Sequence, residues 1–206
     1  MSRFSPDFFD SVYRDTPPWD IGAAQPAMSA LLDEYPPVGP VLDVGCGSGD
    51  HAVALAHRGV QVLGIDVVDA AIEQARAKVQ ALPPDVARLL EFQVADALRP
   101  TLLRRQFGVV VDSGFYHLFE QDERERLAEE IAATLVPGGR YYLLAFATEF
   151  DMPNTPRKVS EDELRTRFSA ERGWGILTVR PAQFESRIAP VPAVAACIER
   201  VGAGGS

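Results

Sequence analysis

Cysteine is scarce. Cys46 and Cys197 are the only two in 206 residues, with no CxxC pair or His-rich cluster, which excludes a disulfide framework and a structural zinc site. Long apolar runs are missing too. The longest, Tyr141 to Ala147, falls far short of the roughly 20 residues that cross a bilayer. The opening MSRFSPDFFDS lacks the apolar stretch of a secretory signal, so a cytoplasmic location and no membrane partner are expected. Positive charge is in deficit, with 20 Lys+Arg against 29 Asp+Glu and a net charge of −9. A pI near 4.8 argues against nucleic acid as a partner, since that affinity rests on Lys and Arg neutralising phosphates. No internal repeat occurs, and low complexity is confined to GAGGS at 202–206, expected to be a flexible tail. What remains is ordinary globular composition, 47% hydrophobic and 24% charged. At this length it favours one domain with a full-sized core, acting on something small.

Short apolar runs alternate with helix-period segments. Strands are expected at Pro40 to Val44, Val60 to Ile65, Leu90 to Val94, Phe107 to Val111 and Arg140 to Phe146. Between them, Asp50 to Arg58, Val68 to Leu82 and Gln121 to Leu135 read as helices, ended respectively by Gly59, Leu82 and Pro137-Gly138-Gly139. This alternation marks a parallel sheet covered on both faces, an α/β doubly wound fold. Residues 147–158 read as a loop, and Ser160 with Glu163 as a capping box opening a short helix to Phe168. Trp174 to Val179 is a sixth strand, and Val194 to Val201 either a helix or, favoured here, a closing antiparallel strand at the edge of the sheet. The charged run Asp122 to Arg126 reads as a solvated helix face, and Trp174 and Cys197 as packing residues.

The informative segment is Val41-Leu42-Asp43-Val44-Gly45-Cys46-Gly47-Ser48-Gly49. Glycines at alternate positions between a strand and a helix let the backbone approach a ligand closely. Asp66 ends the next strand, where an acid accepts both hydroxyls of a ribose. Asp96 follows the third strand on the same sheet edge. A dinucleotide reading meets a relaxed G-x-G-x-x-A from Gly47 through Gly49 and Ala52. Against it, Asp43 precedes the glycines and Asp50 opens the helix where a pyrophosphate would sit. Acids around a ligand suit a cation better than a phosphate.

The ordered set VLDVGCGSG, Asp66, Asp96 and LVPGG before a strand resembles the class I S-adenosylmethionine-dependent methyltransferases, over about Pro40 to Phe146. The resemblance implies a seven-stranded, mostly parallel sheet with helices on both faces and its last strand antiparallel. It implies S-adenosylmethionine as cofactor, S-adenosylhomocysteine as product, and no metal. It places Asp43 beneath the methionine amino group, with Gly45, Cys46, Gly47 and Gly49 passing under the cofactor. Asp66, with Val67 beside it, would hold the ribose, and Asp96 and Ala97 the adenine. The physics agrees, since this cofactor carries a sulfonium and an ammonium and no phosphate. Upstream, Thr16-Pro17-Pro18-Trp19-Asp20-Ile21-Gly22 with Gln25-Pro26 resembles thiol and thiopurine methyltransferase-like proteins and bacterial relatives that methylate heteroaromatic toxins. That implies Trp19, Asp20 and Gln25 around the cofactor pocket and its mouth. It also implies a small aromatic or sulfur-bearing acceptor; a monomer or homodimer is expected. An NAD(P)-dependent oxidoreductase and a non-catalytic cofactor binder stand as alternatives.

The chain then divides into N-terminal lid helices at 1–36, a cofactor-binding core at 37–146, a substrate-side loop and closing strands at 147–201, and the tail. Candidate acceptor walls are Phe115, Tyr116, His117 and Phe119 after the fourth strand, and Phe146 at the end of the fifth. Phe8, Phe9, Val12 and Tyr13 share one face of a helix opened by Ser5-Pro6; it either lids the pocket or packs its aromatics on the core. His117 is either a general base or a capping and packing residue. Asp112 either touches the transfer centre and the methionine portion or caps the turn after its strand. No Asp-Pro-Pro-Tyr amino-methylation motif follows that strand, since Asp112-Ser113-Gly114-Phe115 stands there.

Overall fold

The computed structural model describes residues 12–13, 15–151 and 155–201. Phe8, Phe9 and the tail at 202–206 lie outside the described residues. The elements run α1 (Pro26–Glu34), β1 (Val41–Val44), α2 (Asp50–His57), β2 (Val62–Asp66), α3 (Asp69–Gln80), α4 (Pro84–Ala87), β3 (Leu90–Val94), β4 (Phe107–Ser113), α5 (Gln121–Thr134), β5 (Leu135–Phe146), α6 (Glu161–Arg167), β6 (Trp174–Phe184) and β7 (Val191–Arg200). Short 3₁₀ turns occupy Pro100–Leu103, Tyr116–Leu118 and Ala170–Arg172. The seven strands form one sheet in the order β3-β2-β1-β4-β5-β7-β6. Neighbours from β3 through to β5 pair in parallel.

Burial on both faces explains the sequence of each central strand. All four residues of β1 and all five of β2 are buried, so they read as continuous apolar runs rather than alternating ones. Leu42, Val44, Val110, Tyr141 and Leu143 face a layer that includes Leu127 and Ile131 of α5. Val41, Val109, Val111, Tyr142 and Leu144 face the other layer, with Met28 and Leu31 of α1 and Leu55 of α2. Helix α1 starts with Pro26 at its first position and buries Met28, Leu31 and Leu32. The segment expected to be lid helices therefore contributes, at 26–34, a helix of the covering layer packed on β5, β6 and β7.

Several boundaries and placements differ from the sequence reading for identifiable reasons. Strand β4 continues two residues further, to Ser113. In β5, Leu135 pairs with Phe107 and Arg140 with Val109. Residues 136–139 bulge out of the ladder, because Pro137 has no N–H and Gly138 has φ +77. The closing strand β7 is antiparallel to both neighbours and lies inside the sheet; the edge is β6. Pro181 is tolerated within β6 because an edge strand need not bond on both sides. At α6, Ser160 Oγ accepts from Glu163 N at 3.1 Å, but the Glu163 carboxylate leaves the expected capping box for Arg124.

Arg124 is the clearest correction. Asp122 and Arg126 are exposed and paired at 2.7 Å as a solvated face should be, but Arg124 is 1% exposed. Its Nη1 donates to both Glu163 oxygens at 2.9 and 2.8 Å. Nη1 also reaches Lys158 O at 3.3 Å, and Nη2 reaches Arg157 O at 3.1 Å. The guanidinium covers the Tyr116 ring at 5.0 Å. This pair anchors the loop after β5 beneath the carboxyl end of β4. Removing one partner strands a buried charge, so Arg124→Ala is expected to lower the unfolding free energy by about 3–5 kcal/mol. Urea denaturation reads this as an earlier midpoint; a loss below about 1 kcal/mol would mean that water reaches Glu163 and relieves it.

Candidate functional site

The chain reverses its winding direction between β1 and β4, and ligands of open α/β sheets bind at the carboxyl ends of strands around such a point. A cavity of about 440 Å³ opens there. One end is built from the β1–α2 turn. Gly45 and Gly47 have φ +63 and +53, and Gly49, which caps α2, has φ +83. A Cβ at Gly45 would stand 2.6 Å from the Phe115 ring, and one at Gly47 2.5 Å from the Tyr13 hydroxyl. These glycines allow close approach as well as an unusual backbone. Gly49 is different: it does not line the cavity, and its missing Cβ makes room for the Phe92 ring at 2.7 Å.

The acids divide by partner. Asp66 Oδ2 accepts from Gly47 N at 2.9 Å and Oδ1 from Val68 N at 3.0 Å. Burial raises its carboxyl, and those two amides offset part of the rise. Asp96 accepts from Leu98 N at 3.0 Å and pairs with Arg99 at 2.9 Å. Asp20 accepts from Ser48 Oγ at 2.6 Å and from Gly22 N at 2.9 Å. Asp50 holds Lys78 Nζ at 2.5 Å, so its charge is compensated and does not itself repel a phosphate. Asp43 has no cation beside it among the described residues, and the Ala52 amide is its one relief. It is 2% exposed, and its Oδ2 has no hydrogen-bond partner among the described residues. Burial, then the carboxylates of Asp112 and Asp66, push its carboxyl well up. No Lys or Arg lines the cavity among the described residues.

Segment 15–25 closes this end. Trp19 Nε1 donates to the Tyr13 hydroxyl at 3.5 Å. The Gln25 amide exchanges two bonds with the backbone of Glu185, at 2.9 and 2.7 Å. Gln25 N donates to His51 Nε2 at 3.1 Å, and shielding lowers that imidazole to about 4. The expected Tyr13, Trp19, Gln25, Asp43, Gly45, Cys46 and Gly47 all line the cavity, as do Asp66, Val67, Asp96 and Ala97.

The other end is aromatic. Phe115, His117 and Phe146 line it as expected, with Phe119 at 4.7 Å edge-to-face with Phe115. Tyr116 does not: it is fully buried and its hydroxyl donates to Glu163 at 3.0 Å. Asp112 does not either. It is fully buried and caps the turn after β4, accepting from Phe115 N at 3.0 Å, Tyr116 N at 3.1 Å and the Tyr141 hydroxyl at 2.8 Å. Burial raises its carboxyl to about 6. Of the two readings of Asp112 the turn cap is the one observed, because strand alternation points residue 112 to the face opposite Asp43, and Asp112 then draws Tyr116 under itself. His117 is 3% exposed and burial, then Arg124, lower it to about 3. Its Nδ1 accepts from Phe146 N at 3.0 Å, so the expected general base is a neutral ring with one lone pair engaged.

Among the lining residues that the sequence did not reveal are Ser48, His51, Ser113 and Phe184. Ser113 lies beyond the expected end of β4, and Phe184 beyond that of β6, where only cross-sheet pairing extends the strands. His51 follows Asp50 at the start of α2, a position that the glycine turn aims at the cavity.

A methyltransferase domain family matches residues 41–139. A 2-heptyl-1-hydroxyquinolin-4(1H)-one methyltransferase of Mycobacteroides abscessus is 33% identical over 193 residues, covering 89% of this chain and 83% of that one. A probable thiol methyltransferase of Arabidopsis thaliana is 30% identical over 149 residues, 71% of this chain and 64% of its own. Among solved structures, one from the conversion of a disulfide bond into a thioacetal group during echinomycin biosynthesis superposes with a TM-score of 0.83. It is 32% identical and covers 97% of this chain and 94% of that one.

The Asp43 geometry sets a pH test. A carboxyl raised in the folded state binds protons that the unfolded chain has released, so its contribution to stability falls as pH rises above the ordinary carboxylate range. The lowered histidines act with opposite sign, so the difference between variants isolates Asp43. Asp43→Asn is expected to stabilise the ligand-free protein at pH 7, and by less at pH 4, in thermal denaturation. An equal effect at both would mean that Asp43 is not held up.

Proposed function

The chain belongs to the S-adenosylmethionine-dependent methyltransferases, and from that membership we propose that it methylates a small aromatic or sulfur-bearing acceptor. The observation that carries the reading is one cavity with an acidic, glycine-floored end running into an aromatic end. The residues fit the cofactor. Asp43 Oδ2, buried and unpartnered, would receive the methionine ammonium, and Asp66 the ribose hydroxyls through its remaining lone pairs. Gly45 and Gly47 let the turn pack against the Phe115 ring and the Tyr13 hydroxyl, and Val67, Asp96 and Ala97 would flank the adenine. A wall with acids and no lysine or arginine suits this cation and disfavours a dinucleotide pyrophosphate. When bound, the cofactor supplies an electrophilic methyl group on a cationic sulfur.

The chain's own contribution is placement and exclusion of water. Phe115, Phe119, Phe146 and Phe184 offer ring faces and edges that hold a flat acceptor, and their apolar surface keeps the site dry. Restricting the acceptor's orientation there lowers the barrier without a dedicated catalytic group. The hydroxyquinolone and thiol relatives support oxygen and sulfur as acceptor atoms. Small size is supported by the cavity's volume of about 440 Å³, and a non-nucleic-acid acceptor by the net charge of −9. Both cysteines are buried free thiols, which supports a reducing compartment such as the cytoplasm; no helix among the described residues is long and apolar enough to cross a membrane. The reading takes the chain as one domain, acting as a monomer or homodimer.

Mass spectrometry of S-adenosylhomocysteine release tests it, with aryl thiols, hydroxyquinolines, catechols and small amines as acceptors. Release is expected with thiol or hydroxylated aromatic acceptors; release only with amines overturns the acceptor class. Asp66→Ala is expected to weaken cofactor binding by about 1.5–3 kcal/mol in calorimetry, the value of a charge-assisted contact. Unchanged affinity would remove Asp66 from the ribose site.

A further inference from the structure

The aromatic end of the cavity contains two polar side chains among the described residues, Ser113 and His117. His117 is held from three sides. Its Nδ1 accepts the Phe146 amide at 3.0 Å, its ring stacks on the Phe146 ring at 4.2 Å and 19°, and its carbonyl accepts from Arg157 N at 2.7 Å. A neutral imidazole whose Nδ1 lone pair is taken by an N–H carries its proton on Nε2. That nitrogen is then a donor and has no lone pair with which to act as a base. Ser113 Oγ is enclosed without a hydrogen-bond partner among the described residues, so its hydroxyl is a second donor. The charged groups near His117 do not alter this state. The Arg124 cation opposes a second positive charge on the ring, while Glu163 is committed to Arg124 and Asp112 to the Tyr141 hydroxyl and two amides.

Resting on the methyltransferase reading of the same cavity, we infer that the acceptor binds as an anion, its charged oxygen or sulfur taking hydrogen bonds from His117 Nε2–H and Ser113 Oγ–H. The acceptor's proton passes to bulk water before the acceptor enters, and no side chain of the protein receives it. Two donors converging on one atom favour its anion over its neutral hydroxyl, because hydrogen bonds to a charged acceptor are about twice as strong. The pair therefore determines specificity: aryl thiols, electron-poor phenols and acidic hydroxylated heterocycles are selected over aliphatic alcohols and amines.

Binding of 4-nitrophenol, whose anion absorbs visible light, tests this without turnover. Its apparent pKa when bound is expected to fall by about one unit or more. His117→Gln, which keeps an N–H donor, is expected to retain most of the fall, and His117→Phe to abolish it. In turnover, the midpoint of kcat/KM against pH is expected to move with the acidity of the phenol supplied. No binding of 4-nitrophenol, or binding that leaves its pKa unmoved or raises it, overturns the inference. So does a kcat/KM midpoint that stays constant across phenols, because that is the mark of a protein base. A bound-phenol shift without any S-adenosylhomocysteine release strikes the methyltransferase reading instead.

Discussion

A carboxylate buried without a cation is the constraint around which this molecule is arranged. Asp43 stands on β1, an interior strand of the sheet, with one oxygen unpartnered. Desolvation of an unpaired charge is unfavourable by several kcal/mol, and the carboxyl is pushed well up as a result. The neighbours make the demand stronger. Asp112 and Asp66 both add negative potential at Asp43, and the lysine nearest this region, Lys78, is engaged by Asp50 and Ser48. No lysine or arginine among the described residues lines the cavity beside it.

Around that charge, backbone amides do most of the positioning. Asp66 ties the turn after β1 to the start of α3 through Gly47 N and Val68 N. The glycine turn thereby keeps its shape while Phe115 and Tyr13 pack closely on Gly45 and Gly47. At the far end the Phe146 amide performs the corresponding task for His117. One amide thus sets the tautomer of the ring, and with it whether the pocket offers a base or a donor. Behind both, the Arg124–Glu163 pair holds the loop after β5 through Arg157 O and Lys158 O, so a buried charge pair supports an otherwise apolar wall.

The two halves of the cavity divide the work by polarity. Acids and glycines at one end need a cationic ligand that can be approached closely. Phenylalanines at the other exclude water and orient a ring, and with water gone each remaining hydrogen bond gains strength. Methyl transfer suits this division, because its electrophile arrives already activated and the protein has to supply placement more than proton chemistry.

By itself the sequence determined the sheet, the glycine turn and the acids at strand ends. These are local patterns: apolar runs bounded by turns, glycines at alternate positions, and an acid as the last residue of a strand. Most of the expected cofactor residues line the cavity for that reason, since strand and turn geometry aims them there. What it did not determine were facts of partnership. Whether Asp112 faces ligand or core depends on which side of β4 it occupies and on Tyr141 across the ladder. Whether Arg124 is solvated depends on a helix some 40 positions away, at Glu163. The extensions of β4 to Ser113 and β6 to Phe184 come from pairing with β5 and β7. The role open to His117 turns on the direction of one amide at Phe146. Local periodicity encodes which way a chain bends. The partner of a buried polar atom is chosen only when distant segments meet, and that choice belongs to the tertiary structure.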